Sequence, residues 1–145
     1  MKICLGCDHA AFDEKEVLKA YLSTKYEVVD MGTHSLDRCN YPDYGIAVVK
    51  KVLKEDYIGI LICGSGIGVS MVANRFKGIR AALCRSPKEA MLSRQHNNAN
   101  ILCLGARINT IDQLKETTDA FLSGQFEGGR HKERLALFED LGERI

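Results

Sequence analysis

Along its whole length the chain alternates short runs of β-branched and apolar residues with longer stretches whose apolar residues recur at helical spacing. Strands separated by helix-length segments cannot pair as tight hairpins, so they must cross over into a parallel sheet. The runs read as strands are Lys2 to Cys7, Glu27 to Met31, Ile58 to Cys63, Ile79 to Cys84 and Asn100 to Leu104. The expected fold class is therefore α/β, with a five-stranded parallel sheet covered by helices on both faces.

Between these runs, Val17, Leu18, Tyr21 and Leu22 form one helical stripe, and Tyr44, Ala47, Val48 and Val52 form another after Pro42. Ser86, Pro87 and Glu89 supply an N-cap, a first-turn proline and a capping-box acid; Thr110 and Gln113 repeat the box before a further helix. After a glycine break, Leu135, Phe138 and Leu141 recur at helical spacing and predict a terminal helix free to reach a neighbouring subunit.

At 145 residues, one core and one domain spanning 1–145 are expected. A formal charge of +1 gives no overall field for nucleic acid or an acidic membrane surface, so any anion site must be local. The amino-terminal MKICLGCDHA lacks the pattern of a signal peptide, and no apolar stretch approaches a membrane span; a cytoplasmic location is expected. Under that expectation the six cysteines read as reduced thiols. Cys4, Cys84 and Cys103 read as small buried hydrophobes. Cys4 and Cys7 form a C-x-x-C within a strand, where odd spacing sends the two side chains to opposite faces and argues against a metal or dithiol site.

In a parallel sheet the ligand crevice lies beyond the carboxyl ends of the strands. There the chain carries Asp8 and His9 after the first run, Cys63 with Gly64, Ser65, Gly66, Ile67 and Gly68 after the third, His96 and Asn97 in a polar stretch before the fifth, and Arg107 beyond it. These groups could converge on one pocket. The C-G-S-G-I-G turn can bend sharply, aim several N–H groups at a negative oxygen and favour a thiolate at Cys63. From spacing alone, Cys63 equally suits the end of a buried strand followed by a tight turn. A dinucleotide site fits less well: the pattern is G-x-G-x-G, and the next strand leads to Arg85 where an acid would hold a ribose. His9 and His96 read either as acid–base groups or as solvated loop histidines. Arg130 and Arg134, four residues apart, can clamp a phosphate or simply form a charged face.

The segments G-C-D-H, N-Y-P-D-Y, I-C-G-S-G-I-G, S-R-Q-H-N-N-A-N and E-G-G-R-H, taken in order, resemble the ribose-5-phosphate isomerase B family nearly end to end. The resemblance implies a Rossmann-like sandwich and an aldose–ketose isomerase of the non-oxidative pentose phosphate pathway. It implies ribose 5-phosphate as substrate, with allose 6-phosphate or galactose 6-phosphate as alternatives. By the same resemblance Cys63 is the proton-transferring base, His96 the ring-opening acid, and Gly64 to Gly68 the turn whose amides hold the enediolate. Asp8, His9, Tyr41 and Asn97 match substrate-binding positions, while Arg107, Arg130 and Arg134 match anion-binding ones. Ser65 stands where many relatives carry threonine and keeps the hydroxyl. The relatives acting on galactose 6-phosphate divide the cysteine and the histidine–arginine set between two chains, whereas this chain holds both. A homodimer is implied, with a dimer of dimers left open, each site completed by the neighbouring subunit and using neither metal nor cofactor. A non-catalytic phosphosugar-binding module is the remaining alternative, although it would have no need of Cys63 and His96 together.

Overall fold

The computed structural model describes residues 1–144. In chain order it runs β1 (Lys2–Cys7), α1 (Phe12–Ser23), β2 (Glu27–Asp30), α2 (Tyr41–Lys54), β3 (Ile58–Cys63), α3 (Ile67–Ala73), β4 (Ala81–Leu83), α4 (Pro87–Asn97), β5 (Ile101–Gly105), α5 (Ile111–Ser123) and α6 (Arg130–Ala136). A single 3-10 turn, His9–Ala11, follows β1. The five strands are all parallel, in the order β2-β1-β3-β5-β4. Among the described residues, no helix is long and apolar enough to cross a membrane.

Strand alternation divides the core into two layers. Ile3, Leu5, Ile60, Ile62, Leu102 and Leu104 point to one face, where Leu18 and Leu22 of α1, Ala90 of α4 and Leu114 and Phe121 of α5 cover them. Cys4, Leu61, Cys63, Ile101 and Cys103 point to the other, under Val48 and Val49 of α2 and Val69 and Ala73 of α3. Cys4 and Cys7 fall into different layers, as their spacing requires. Burying each large apolar side chain contributes about 1.5–3 kcal/mol, so these two layers dominate stability.

Two close approaches set α2 low on the sheet. A Cβ at Gly6 would stand 2.7 Å from Val48 Cγ2, and one at Gly59 would stand 2.9 Å from Val48 Cγ1. The glycines thus let α2 ride over β1 and β3, with its first turn near their carboxyl ends. Strand order reverses between these two strands, which makes their ends the switch-point crevice.

Lys15 of α1 is fully buried beneath the same edge, with its Nζ 2.5 Å from Asp30 Oδ2 and 2.7 Å from Glu16 Oε1. Burial alone would raise the Asp30 carboxyl, but hydrogen bonds from Lys15, Lys19 and the Gly32 N–H hold it down at about 2. Asp30 thereby ties the end of β2 to the loop whose Gly32 carbonyl accepts from Cys7 N–H at 2.7 Å.

Several expected boundaries shift. β4 shrinks to Ala81–Leu83 because side chains replace ladder bonds around it: Arg80 N–H donates to Asn100 Oδ1, and Asn74 bonds both the N–H and the C=O of Ala81. β2 ends at Asp30, and β5 spans Ile101–Gly105, one residue later than expected. In the α1 stripe Leu18 and Leu22 are buried, but Val17 faces solvent. The Thr110–Gln113 capping box forms; at α4, Ser86 caps the helix while Glu89 accepts from Arg85 N–H instead of closing the box. His96 and Asn97 belong to the last turn of α4, which Asn98 terminates in the left-handed conformation, and not to a connecting loop. The terminal helix stops at Ala136, leaving Phe138 and Leu141 beyond it. Leu137, Phe138 and Leu141 remain exposed, so this chain offers no surface to pay for further helix. The backbone instead turns back, where Lys77 N–H and Glu143 N–H donate to Glu143 C=O and Arg75 C=O.

Candidate active site

The switch-point crevice is a cavity of about 450 Å³ lined by Asp8, His9, Tyr41, Cys63, Gly64, Ser65, Gly68 and Arg107, together with Ala10 and Ile108. That volume suits a phosphorylated monosaccharide or another small polar ligand.

Cys63 is the last residue of β3 and opposes Gly105 of β5 in the ladder. Its Sγ accepts from the Gly66 N–H at 3.1 Å. That donor is available because Gly66 holds φ +75 in the left-handed region, where a side chain would also meet Leu83 Cδ1 at 2.6 Å and the Leu104 backbone at 2.9 Å. An amide aimed at sulfur, at the start of a helix, stabilises negative charge on the thiol group. Elsewhere in the sheet desolvation pushes the buried thiols of Cys4 and Cys7 up to about 12 and that of Cys84 to about 11, leaving them inert.

The glycine turn divides its labour. Ser65 Oγ accepts from the Ile67 N–H at 3.2 Å, and the Gly64 carbonyl accepts from Arg107 N–H at 2.9 Å. Two expected oxyanion donors, the Gly66 and Ile67 amides, are therefore already engaged, and neither residue lines the cavity. Gly68 does line it, and as a first-turn residue of α3 its N–H has no intrahelical acceptor. The Tyr41 ring closes over this glycine, where a Cβ would stand 2.7 Å from Tyr41 Cζ.

Asp8 caps the 3-10 turn through one carboxylate oxygen, 3.0 Å from Ala10 N. His9 accepts the Cys39 N–H on Nδ1 at 3.2 Å, so a neutral ring carries its proton on Nε2 and presents a donor. Cys39 was not singled out from the sequence; its backbone role leaves no mark in residue type. Arg107 lies along Gly64, its Cδ 3.4 Å from where a Cβ would sit, and brings the cavity a cation.

The four strand ends do not all meet. His96, Asn97, Arg130 and Arg134 are absent from this cavity. Asn97 lines a separate hollow of about 300 Å³ beside Asn74, Arg80 and Phe138. A larger groove of about 660 Å³, walled by Phe76, Phe126, Leu135, Phe138 and Leu141, holds none of the expected site residues. Arg130 and Arg134 occupy exposed positions one turn apart on α6 and make no ion pair among the described residues. His96 stacks on His131, with ring centroids 4.3 Å apart and planes inclined by 9°. Glu127 Oε2 stands 3.8 Å from Nε2 of each imidazole. Desolvation, His96 and Arg130 together lower the His131 imidazole below its ordinary value. Glu127 and His131 were passed over within E-G-G-R-H, although their spacing of four offered a signal.

Known proteins resemble this chain over nearly its whole length. The model of a family described as Ribose/Galactose Isomerase matches residues 3–138. The ribose-5-phosphate isomerase B of Escherichia coli is 43% identical over 145 residues, 99% of this chain and 97% of its own length. Among solved structures, the ribose 5-phosphate isomerase of Thermotoga maritima aligns with a TM-score of 0.94 at 47% identity, covering 97% of this chain and 98% of that one. The ribose-5-phosphate isomerase B of Mycoplasma genitalium, solved with bound ribulose-5-phosphate, aligns with a TM-score of 0.92 at 43% identity, covering 95% and 93%.

Proposed function

The chain belongs to the ribose/galactose isomerase family, and we infer that it interconverts ribose 5-phosphate and ribulose 5-phosphate, with Cys63 as the group that moves the proton. The observation that carries the residue assignment is the Cys63 sulfur, held by the Gly66 amide at 3.1 Å in a cavity that also contains His9 and Arg107.

In this reading the sugar enters as a ring and His96 protonates the ring oxygen as the anomeric hydroxyl passes its proton to Asp8, which lines the cavity; the C–O bond breaks and the aldehyde is released. The Cys63 thiolate takes the C2 proton, and the electron pair passes into a cis-enediolate whose O1 charge meets the Gly68 amide and the Ser65 hydroxyl. The thiol then returns the proton to C1 as the C2 hydroxyl proton passes to O1, giving the ketose. Every charge is handled by fixed dipoles and protons, so no metal or cofactor step is required.

His96, Asn97, Arg130 and Arg134 lie outside the Cys63 cavity, so their proposed roles need a second copy of the chain. A symmetric pair would bring the acid, a sugar-binding amide and two cations to the crevice, where Arg107 supplies the third. The exposed Phe138, which shares a hollow with Asn97, and the exposed Leu141 of the adjoining groove give such a pair an apolar surface to bury. We place this single-domain enzyme in the cytoplasm.

Subunit mixing tests both assignments. Cys63→Ala and His96→Asn are each expected to be inactive alone; co-refolded in equal amounts, half the dimers carry one intact site and recover roughly a quarter of wild-type activity. No recovery, with mixed dimers verified by mass, refutes the shared site. Substantial activity in Cys63→Ala alone refutes the base.

A further inference from the structure

Outside the Cys63 cavity, one cluster has the chemistry of a ligand site in its own right. We propose that His96, Glu127 and His131 bind a first-row divalent ion, zinc being the best match, and that its binding withdraws the His96 imidazole from catalysis. The inhibitory consequence rests on the reading of His96 as the ring-opening acid; the binding itself does not.

Two imidazoles and a carboxylate are a known set of three protein ligands for zinc, the fourth tetrahedral position being taken by water or another small ligand. One donor atom from each of these three residues lies within 4.8 Å of the others. Glu127 Oε2 is equidistant from the two Nε2 atoms, at 3.8 Å. Around zinc with bonds of about 2.0–2.1 Å, tetrahedral donors stand roughly 3.3 Å apart, so each carboxylate–imidazole distance must close by about half an ångström, and the two imidazole donors must close from within 4.8 Å. The imidazoles must also pivot out of their 9° stack so that both lone pairs meet at one point.

The local structure permits both movements. The His131 side chain is the fixed member, 10% exposed, whereas His96 and Glu127 are 38% and 52% exposed and can turn toward it. Glu127 lies before the Gly128–Gly129 turn, whose two glycines both hold positive φ, and His131 lies in the first turn of α6, so the carboxylate approaches from outside the helix that carries the imidazole. Arg130 and Arg134 on the same helix oppose a cation. Their charge makes the site weaker than a buried structural zinc centre, and hence reversible.

The test is calorimetric titration of zinc chloride into metal-free, full-length enzyme, with isomerase activity followed in parallel and each variant compared with its own metal-free rate. One zinc per chain is expected, with activity falling as the site fills and returning on chelation. Glu127→Gln removes an exposed ligand without threatening the fold, and its zinc affinity is expected to drop at least about tenfold, with His131→Gln doing the same if it folds. Cys63→Ala is expected to bind zinc as the wild type does. Zinc binding unchanged in Glu127→Gln, lost in Cys63→Ala, or absent from the wild type at millimolar zinc overturns the proposal. Zinc binding by a wild-type chain that shows no isomerase activity on ribose 5-phosphate overturns the functional reading instead.

Discussion

The three glycines around Cys63 should respond differently to the same added methyl group, and the order of their responses follows from geometry. Gly66→Ala puts an L side chain at φ +75, costing about 1–2 kcal/mol. It also sets Cβ 2.9 Å from the carbonyl carbon and oxygen of Leu104, which β5 cannot yield without breaking its pairing with β3, for a further cost of about 1–3 kcal/mol. The expected loss is about 2–5 kcal/mol in urea unfolding, a large share of a typical domain's stability. Any relaxation of the turn moves the Gly66 N–H off Cys63 Sγ, and losing a hydrogen bond to a charged sulfur is worth about 1.5–3 kcal/mol. Alkylation of Cys63 through the cavity by iodoacetamide at neutral pH should then slow about tenfold or more, measured in a Cys39→Ser background because Cys39 is the more exposed thiol. Gly64→Ala meets only the flexible Arg107 chain at 3.4 Å and should change stability by no more than about 0.5 kcal/mol. Gly68→Ala should stay within about 1 kcal/mol while displacing the Tyr41 ring and raising KM more than it lowers kcat. If Gly66→Ala unfolds and alkylates like Gly64→Ala, the account of the turn is wrong.

Replacing Cys63 by Ala should lower kcat by about a thousandfold or more while leaving binding of inorganic phosphate or a substrate analogue within a few-fold, measured by calorimetry. Excess chelator should leave the isomerase rate of metal-free enzyme unchanged; loss on chelation with recovery on adding a divalent ion would contradict a proton-only mechanism. Acid unfolding should report Asp30. Its carboxyl is depressed from 3.8 to about 2, so its contribution is complete above about pH 4 and disappears as pH falls through about 2, amounting to about 2 kcal/mol. Wild type should lose that much more than Asp30→Asn between about pH 5 and pH 2, and parallel curves would show that the Lys15 pairing does not stabilise the fold.

What the sequence by itself determined is local and periodic. Alternation within each strand decides which side chains face which layer, so Cys4 and Cys7 part company and Cys63 arrives at a strand end followed by glycines, whatever the rest of the chain does. Caps at Ser86 and Thr110 are equally local, since each hydroxyl bonds an amide three residues away. The tertiary structure alone decided which strand ends adjoin. With the order β2-β1-β3-β5-β4, Asp8 and Cys63 share the reversal point, while His96 rides at the end of α4 beside His131 and Glu127 and faces a different surface. Nothing in residue spacing encodes that separation, because crossover order depends on how whole helices pack on the sheet. The same holds for Lys15, an ordinary surface residue by composition, buried because Asp30 waits at the end of a neighbouring strand to neutralise it.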